Sequence, residues 1–97
     1  MAYQILKSAK ALAQFKSLYQ KFDRMSDMEK AITWFLERTP YNTRTVDLKK
    51  ANCRLWITQE LPSHFPVVRI VYRVADDLRN VTIISIEEQS IADPSMQ

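Results

Sequence analysis

The residues with the clearest chemical potential are two arginines on one predicted strand. Arg69 and Arg73 stand in the run Val67-Val68-Arg69-Ile70-Val71-Tyr72-Arg73-Val74-Ala75. Alternate side chains of a strand point to opposite faces, so Val68, Ile70, Tyr72 and Val74 share one face while Val67, Arg69, Val71 and Arg73 share the other. The first face calls for a core. The second offers planar, permanently charged guanidinium groups on a rigid element, suited to phosphate or carboxylate. An anionic partner is the first functional expectation, with Lys49, Lys50 and Arg73 as candidate anion or nucleic-acid contacts beside Arg69. Tyr72 shares the apolar face, which assigns it to packing rather than to proton transfer.

Other chemistries find little support in the residue types. Cys53 is the single cysteine, which excludes an intrachain disulfide and a paired-cysteine zinc site. His64 is the single histidine and sits in a Leu-Pro-Ser-His-Phe-Pro turn, so no Ser-His-Asp or Cys-His constellation forms around it. The chain has no glycine, which removes phosphate-cradling loops of the Walker and dinucleotide types. No metal and no cofactor is expected. Turns that need positive φ fall to Asn42, Asn52, Asp77 or Asn80, the next most tolerant residue types.

With 97 residues, 46% of them hydrophobic, the chain has the size and composition of one globular domain spanning 1–97. Its net charge of +3 is unevenly placed. Residues 1–50 carry ten Lys and Arg against five acids, and residues 51–97 carry four against six. This is compatible with nucleic acid without requiring it. There is no apolar run near membrane-spanning length and no secretory pattern at the start, so a cytoplasmic protein without membrane contact is the expectation.

The elements that position the arginines follow from periodicity. Tyr3 to Lys7 reads as a first strand. Ser8 caps a helix to about Asp23, with Leu12, Phe15, Leu18, Tyr19 and Phe22 on its inner stripe. Ser26-Asp27-Met28-Glu29 matches a capping box, predicting a second helix from about Met28 to Arg38 with Met28, Ala31, Ile32 and Phe35 inward. Trp34 lies off that stripe, either over a neighbouring loop or as an anchor for a partner chain. Pro40 to Asp47 reads as a polar connector. Arg54 to Gln59 is a strand in which Leu55 and Ile57 alternate with Arg54, Trp56 and Thr58. A proline-bearing turn leads to the arginine strand, and Asp76 to Asn80 turns into a last strand, Val81 to Ile86. Residues 89–97 lose the pattern and read as a frayed tail.

Helices followed by consecutive strands imply an α+β fold: an N-terminal strand, an antiparallel helical hairpin, then a three-strand antiparallel meander in one sheet. One sheet face packs on the hairpin. Arg69 and Arg73 project from the other, which Val67 and Val71 predict to be partly covered.

This order, with Arg69-Ile70-Val71-Tyr72-Arg73-Val74 before an acidic turn and Val81-Thr82-Ile83-Ile84-Ser85-Ile86 after it, resembles the RelE/ParE superfamily of toxins from bacterial toxin–antitoxin pairs. The resemblance covers about Tyr3 to Glu88. It implies a toxin neutralised by a cognate antitoxin peptide, acting on messenger RNA at the ribosome or on DNA gyrase. The cleaving branch implies a metal-independent endoribonuclease, in which Arg69 matches the strand arginine and Arg54 stands nearest the basic residues of the preceding strand. Those members carry a basic segment and a tyrosine after the last strand, where this chain has Glu87-Glu88-Gln89-Ser90. A module of the same fold that binds nucleic acid or an acidic protein without catalysis is the alternative reading.

Overall fold

The computed structural model describes residues 2–42, 44–59, 61 and 64–89. Its elements run β1 (Gln4–Lys7), α1 (Ala9–Lys21), α2 (Met25–Arg38), β2 (Val46–Asp47), β3 (Cys53–Ile57), β4 (Val68–Ala75) and β5 (Asn80–Glu88). The strands form one sheet in the order β1-β5-β4-β3-β2, with β1 parallel to β5 and every other neighbour antiparallel. The expected α+β class is observed. The meander has four strands rather than three, because the end of the connector, Val46–Asp47, pairs with Leu55 and Arg54 as β2.

The first helix is fixed at its start. The Ser8 hydroxyl oxygen accepts the Ala11 N–H at 3.0 Å while its own proton goes to the Ile84 carbonyl of β5 at 2.7 Å. Such a cap contributes about 1 kcal/mol, and here it also sets the rotation of the helix against the sheet. The inward stripe is therefore Ala11, Phe15 and Leu18. Leu12 and Tyr19, expected inside, are exposed. The second helix begins at Met25, three residues before the expected start at Met28, with Arg24 as N-cap and no side-chain cap bond. Glu29 is recruited elsewhere: Lys7 Nζ of β1 lies 2.8 Å from its carboxylate, and the Tyr19 hydroxyl donates to it. The stripe Met25, Met28, Ile32 and Leu36 is buried, while Phe35 stacks on the indole of Trp56 with centroids 4.0 Å apart.

The sheet face under the helices carries Val68, Ile70, Tyr72 and Val74 of β4, Val81, Ile83 and Ile86 of β5 and Trp56 of β3, all fully or almost fully buried. The alternation on β3 resolves with Trp56 and Thr58 inward and Leu55 and Ile57 on the opposite face. A register shift between Val71 and Tyr72 bulges the β4–β5 ladder, so that Ser85 pairs with Val71 and Ile83 with Tyr72.

Positive φ occurs at Lys49, Ala51, Asn52 and Arg79, so of the four expected positions only Asn52 adopts it. Register decides this: the β2–β3 and β4–β5 turns must close between fixed strand partners, and with no glycine the residue at the required position takes the left-handed conformation at a cost of roughly 1–2 kcal/mol. No helix among the described residues is long and apolar enough to cross a membrane. The predicted frayed tail falls, beyond Gln89, outside the described residues.

Candidate anion-binding face

Among the described residues, no helix lies over the sheet face away from α1 and α2. Register places its side chains in rows: Cys53 beside Arg73, Leu55 beside Val71, and Ile57 beside Arg69. Val46 extends the Leu55 row and Leu6 of β1 shares the face through Thr82. Arg69 and Arg73 are exposed, while Leu55, Ile57 and Val71 are half-buried. A shallow groove of about 420 Å³ runs over Val46, Leu55 and Ile57, bounded by Arg44 and Gln59. The face thus combines cations with an apolar floor.

Arg69 stands opposite Glu87 in the β4–β5 register, and among the described residues neither is in an ion pair. Glu88, on the other face, is held by Lys21 of α1 at 2.5 Å. Adjacent strand positions point oppositely, so of these two carboxylates Glu87 is the one on the face of Arg69.

Arg54 does not join Arg69. It pairs in register with Tyr72, on the helix side of the sheet, whereas Arg69 pairs with Ile57 on the open side. Its guanidinium donates to the Thr45 hydroxyl at 3.0 Å and to the Thr45 carbonyl at 3.3 Å, and lies over the Tyr41 ring. Arg54 instead meets Lys49 and Lys50, which line with it a recess of about 220 Å³ walled by Tyr41 at the end of the sheet. Tyr72 is buried and donates its hydroxyl proton to the Pro40 carbonyl. Burial raises its pKa above the usual phenol value of 10.0, which suits a structural hydroxyl rather than a proton donor. Trp34 is exposed with the Arg38 guanidinium 4.6 Å from its ring centroid. His64 is exposed and Cys53 is a half-buried free thiol.

A cluster at the same end as Lys49 and Lys50 was not legible in the sequence. Asp76 accepts the hydroxyl protons of Tyr3 at 2.8 Å and Tyr41 at 2.6 Å. The two hydrogen bonds hold the Asp76 carboxyl below its ordinary pKa. Burial, reinforced by Asp76, pushes Tyr41 up to about 12; the hydrogen bond to Asp76 raises Tyr3. The partners lie far apart in the chain, and no local spacing announces them.

A helical hairpin on one face of a five-stranded mixed sheet is a fold that this chain shares with solved structures of RelE toxins. The solved structures it resembles include a chain of the toxin–antitoxin complex RelBE2 from Mycobacterium tuberculosis, with TM-score 0.70 and 16% identity over 92% of this chain and 100% of that one. The isolated E. coli RelE toxin gives TM-score 0.68 and 18% identity over 98% and 93% of the two chains, and the intact E. coli RelBE complex gives 0.63 and 19% over 92% and 99%. No family model and no curated protein matches the sequence.

Proposed function

We propose that this chain is the toxin component of a type II toxin–antitoxin pair, acting by binding its target through the open sheet face. The observation that carries the reading is the pairing of exposed Arg69 and Arg73 with a half-buried apolar floor on a face that no helix covers among the described residues. The floor accounts for an antitoxin: a peptide with apolar residues over Val46, Leu55 and Ile57 and acidic residues against Arg44 and Arg69 would order as it binds. The fold shared with the toxins of RelBE complexes supports the same partner.

Within this reading, binding is favoured over RNA cleavage. Cleavage through a 2′-hydroxyl needs a proton acceptor, a proton donor and cations on the developing phosphorane charge. Around Arg69 the described residues offer a carboxylate, Glu87, on the neighbouring strand, while Arg54 and Tyr72 lie on the opposite face. The target is translation, through messenger RNA or the ribosome, or DNA gyrase. A module of this fold that binds nucleic acid or an acidic protein without toxicity is the second reading, favoured by the recess that Lys49, Lys50 and Arg54 line. Induced expression in a bacterial host separates them: the toxin reading expects growth arrest relieved by Arg69→Ala, and the module reading expects normal growth with the wild-type chain.

A further inference from the structure

Tyr41 separates two recesses of opposite character. On one side Lys49, Lys50 and Arg54 line the cationic recess of about 220 Å³. On the other, Tyr3, Pro40 and Tyr41, with Arg38 and Asn42, line a second recess of about 290 Å³. The wall itself is held in place: the Tyr41 hydroxyl is bonded to Asp76, which also takes the Tyr3 hydroxyl, so both rings are fixed by one carboxylate. The outer supports are guanidinium groups, Arg79 at 4.5 Å from the Tyr3 centroid and Arg54 at 5.4 Å from that of Tyr41.

We propose that this notch is a single-stranded nucleic-acid subsite, with one phosphate in the Lys49–Lys50–Arg54 recess and the adjoining base against Tyr41 and Tyr3. The chemistry matches on both sides of the wall. Aromatic rings fixed beside a cationic groove bind successive nucleotides by stacking and charge, with little dependence on sequence. Asp47 lines the recess too and keeps its charge while accepting the Lys49 N–H at 2.7 Å, so the lining carries three cations against one carboxylate, and Asp76 lies behind the ring wall, bonded to the two phenols. Lys49, Ala51 and Asn52 hold the turn in the left-handed region, which brings the lysine pair and Arg54 to the same recess. An acidic peptide would use the cations but gain nothing from the ring wall, and so is the disfavoured occupant.

The inference rests on the reading that the partner is nucleic acid, and it concerns a surface separate from Arg69 and Arg73. The test is fluorescence anisotropy of a labelled short oligouridylate with the full chain. Replacing both lysines, Lys49→Gln with Lys50→Gln, should reduce the salt slope of log K by about 0.7, the one phosphate contact of a single strand. Tyr41→Ala should weaken binding on the order of tenfold with little change in slope, and Tyr41→Phe, which keeps the ring, should restore most of it. Lys49 and Lys50 are exposed, so the double variant keeps its fold even if Tyr41→Ala does not. Unchanged affinity and slope in the double lysine variant would overturn the subsite, as would wild-type protein that binds polyglutamate but not oligouridylate. Growth arrest by induced wild-type chain with oligouridylate binding indifferent to these variants sinks the subsite and leaves the toxin reading; variant-sensitive binding without arrest does the reverse.

Discussion

Arg54 and Arg69 lie on neighbouring strands yet on opposite faces of the sheet, Arg54 in register with Tyr72 and Arg69 with Ile57. The two therefore cannot act as one cationic clamp. Arg69→Ala, at an exposed position, should change stability by no more than about 0.5 kcal/mol while removing growth arrest. Arg54→Ala should instead lower stability by about 1–3 kcal/mol, because two hydrogen bonds from a charged donor to Thr45 are lost. Urea unfolding of the two variants, set beside their growth curves, measures this split.

The neighbour of Arg69 gives a prediction of opposite sign. Glu87 faces it across the β4–β5 pair, and a carboxylate close to an incoming phosphate costs about 1 kcal/mol in water. Glu87→Gln should strengthen binding of an anionic ligand to the open face several-fold. Glu88→Gln should have little effect there, since Glu88 is on the helix side with Lys21. Titration of both variants with the same oligonucleotide compares them.

Tyr72 should prove structural. Tyr72→Phe leaves the buried Pro40 carbonyl without its donor, a loss of about 1–3 kcal/mol. Thermal unfolding should register that loss. Target binding per folded molecule should be unchanged, and a specific defect in binding would contradict the assignment to the core.

The Tyr3–Asp76–Tyr41 cluster predicts pH limits to the anchoring of Tyr41. The folded pKa of Tyr41, pushed up to about 12, lies above its ordinary 10.0, so its contribution is complete below pH 10.0 and lost as pH rises through about 12. The folded pKa of Asp76 lies below 3.8, so its contribution is present above that value and lost as pH falls through the lower folded value. Ultraviolet titration of the phenols should show a late-ionising tyrosine that Tyr41→Phe removes. The same step persisting in that variant would assign it to another residue.

Most of the fold could be read locally, because it rests on short-range periodicity. The β4 alternation placed Val68, Ile70, Tyr72 and Val74 inside and Arg69 and Arg73 outside, and all six positions are so placed. Ser8 read correctly as a cap since its partner, Ala11, is three residues on. What failed depended on distant partners. The apparent box at Ser26 and Glu29 dissolved because Glu29 pairs with Lys7 across the layer, and Leu12 and Tyr19 turned outward once Ser8 was tied to Ile84. Nothing along β3 reveals that Arg54 faces the helices, since its side is decided by the Trp56 indole reaching Phe35.

The open face carrying Arg69 is proposed to make this chain an antitoxin-controlled toxin. The most direct measurement is bacterial growth after induced expression of the intact chain, alone and beside Arg69→Ala, with folded protein confirmed in both cultures. Arrest by the intact chain and normal growth with Arg69→Ala is the predicted result. Unimpeded growth while folded wild-type protein accumulates would contradict it.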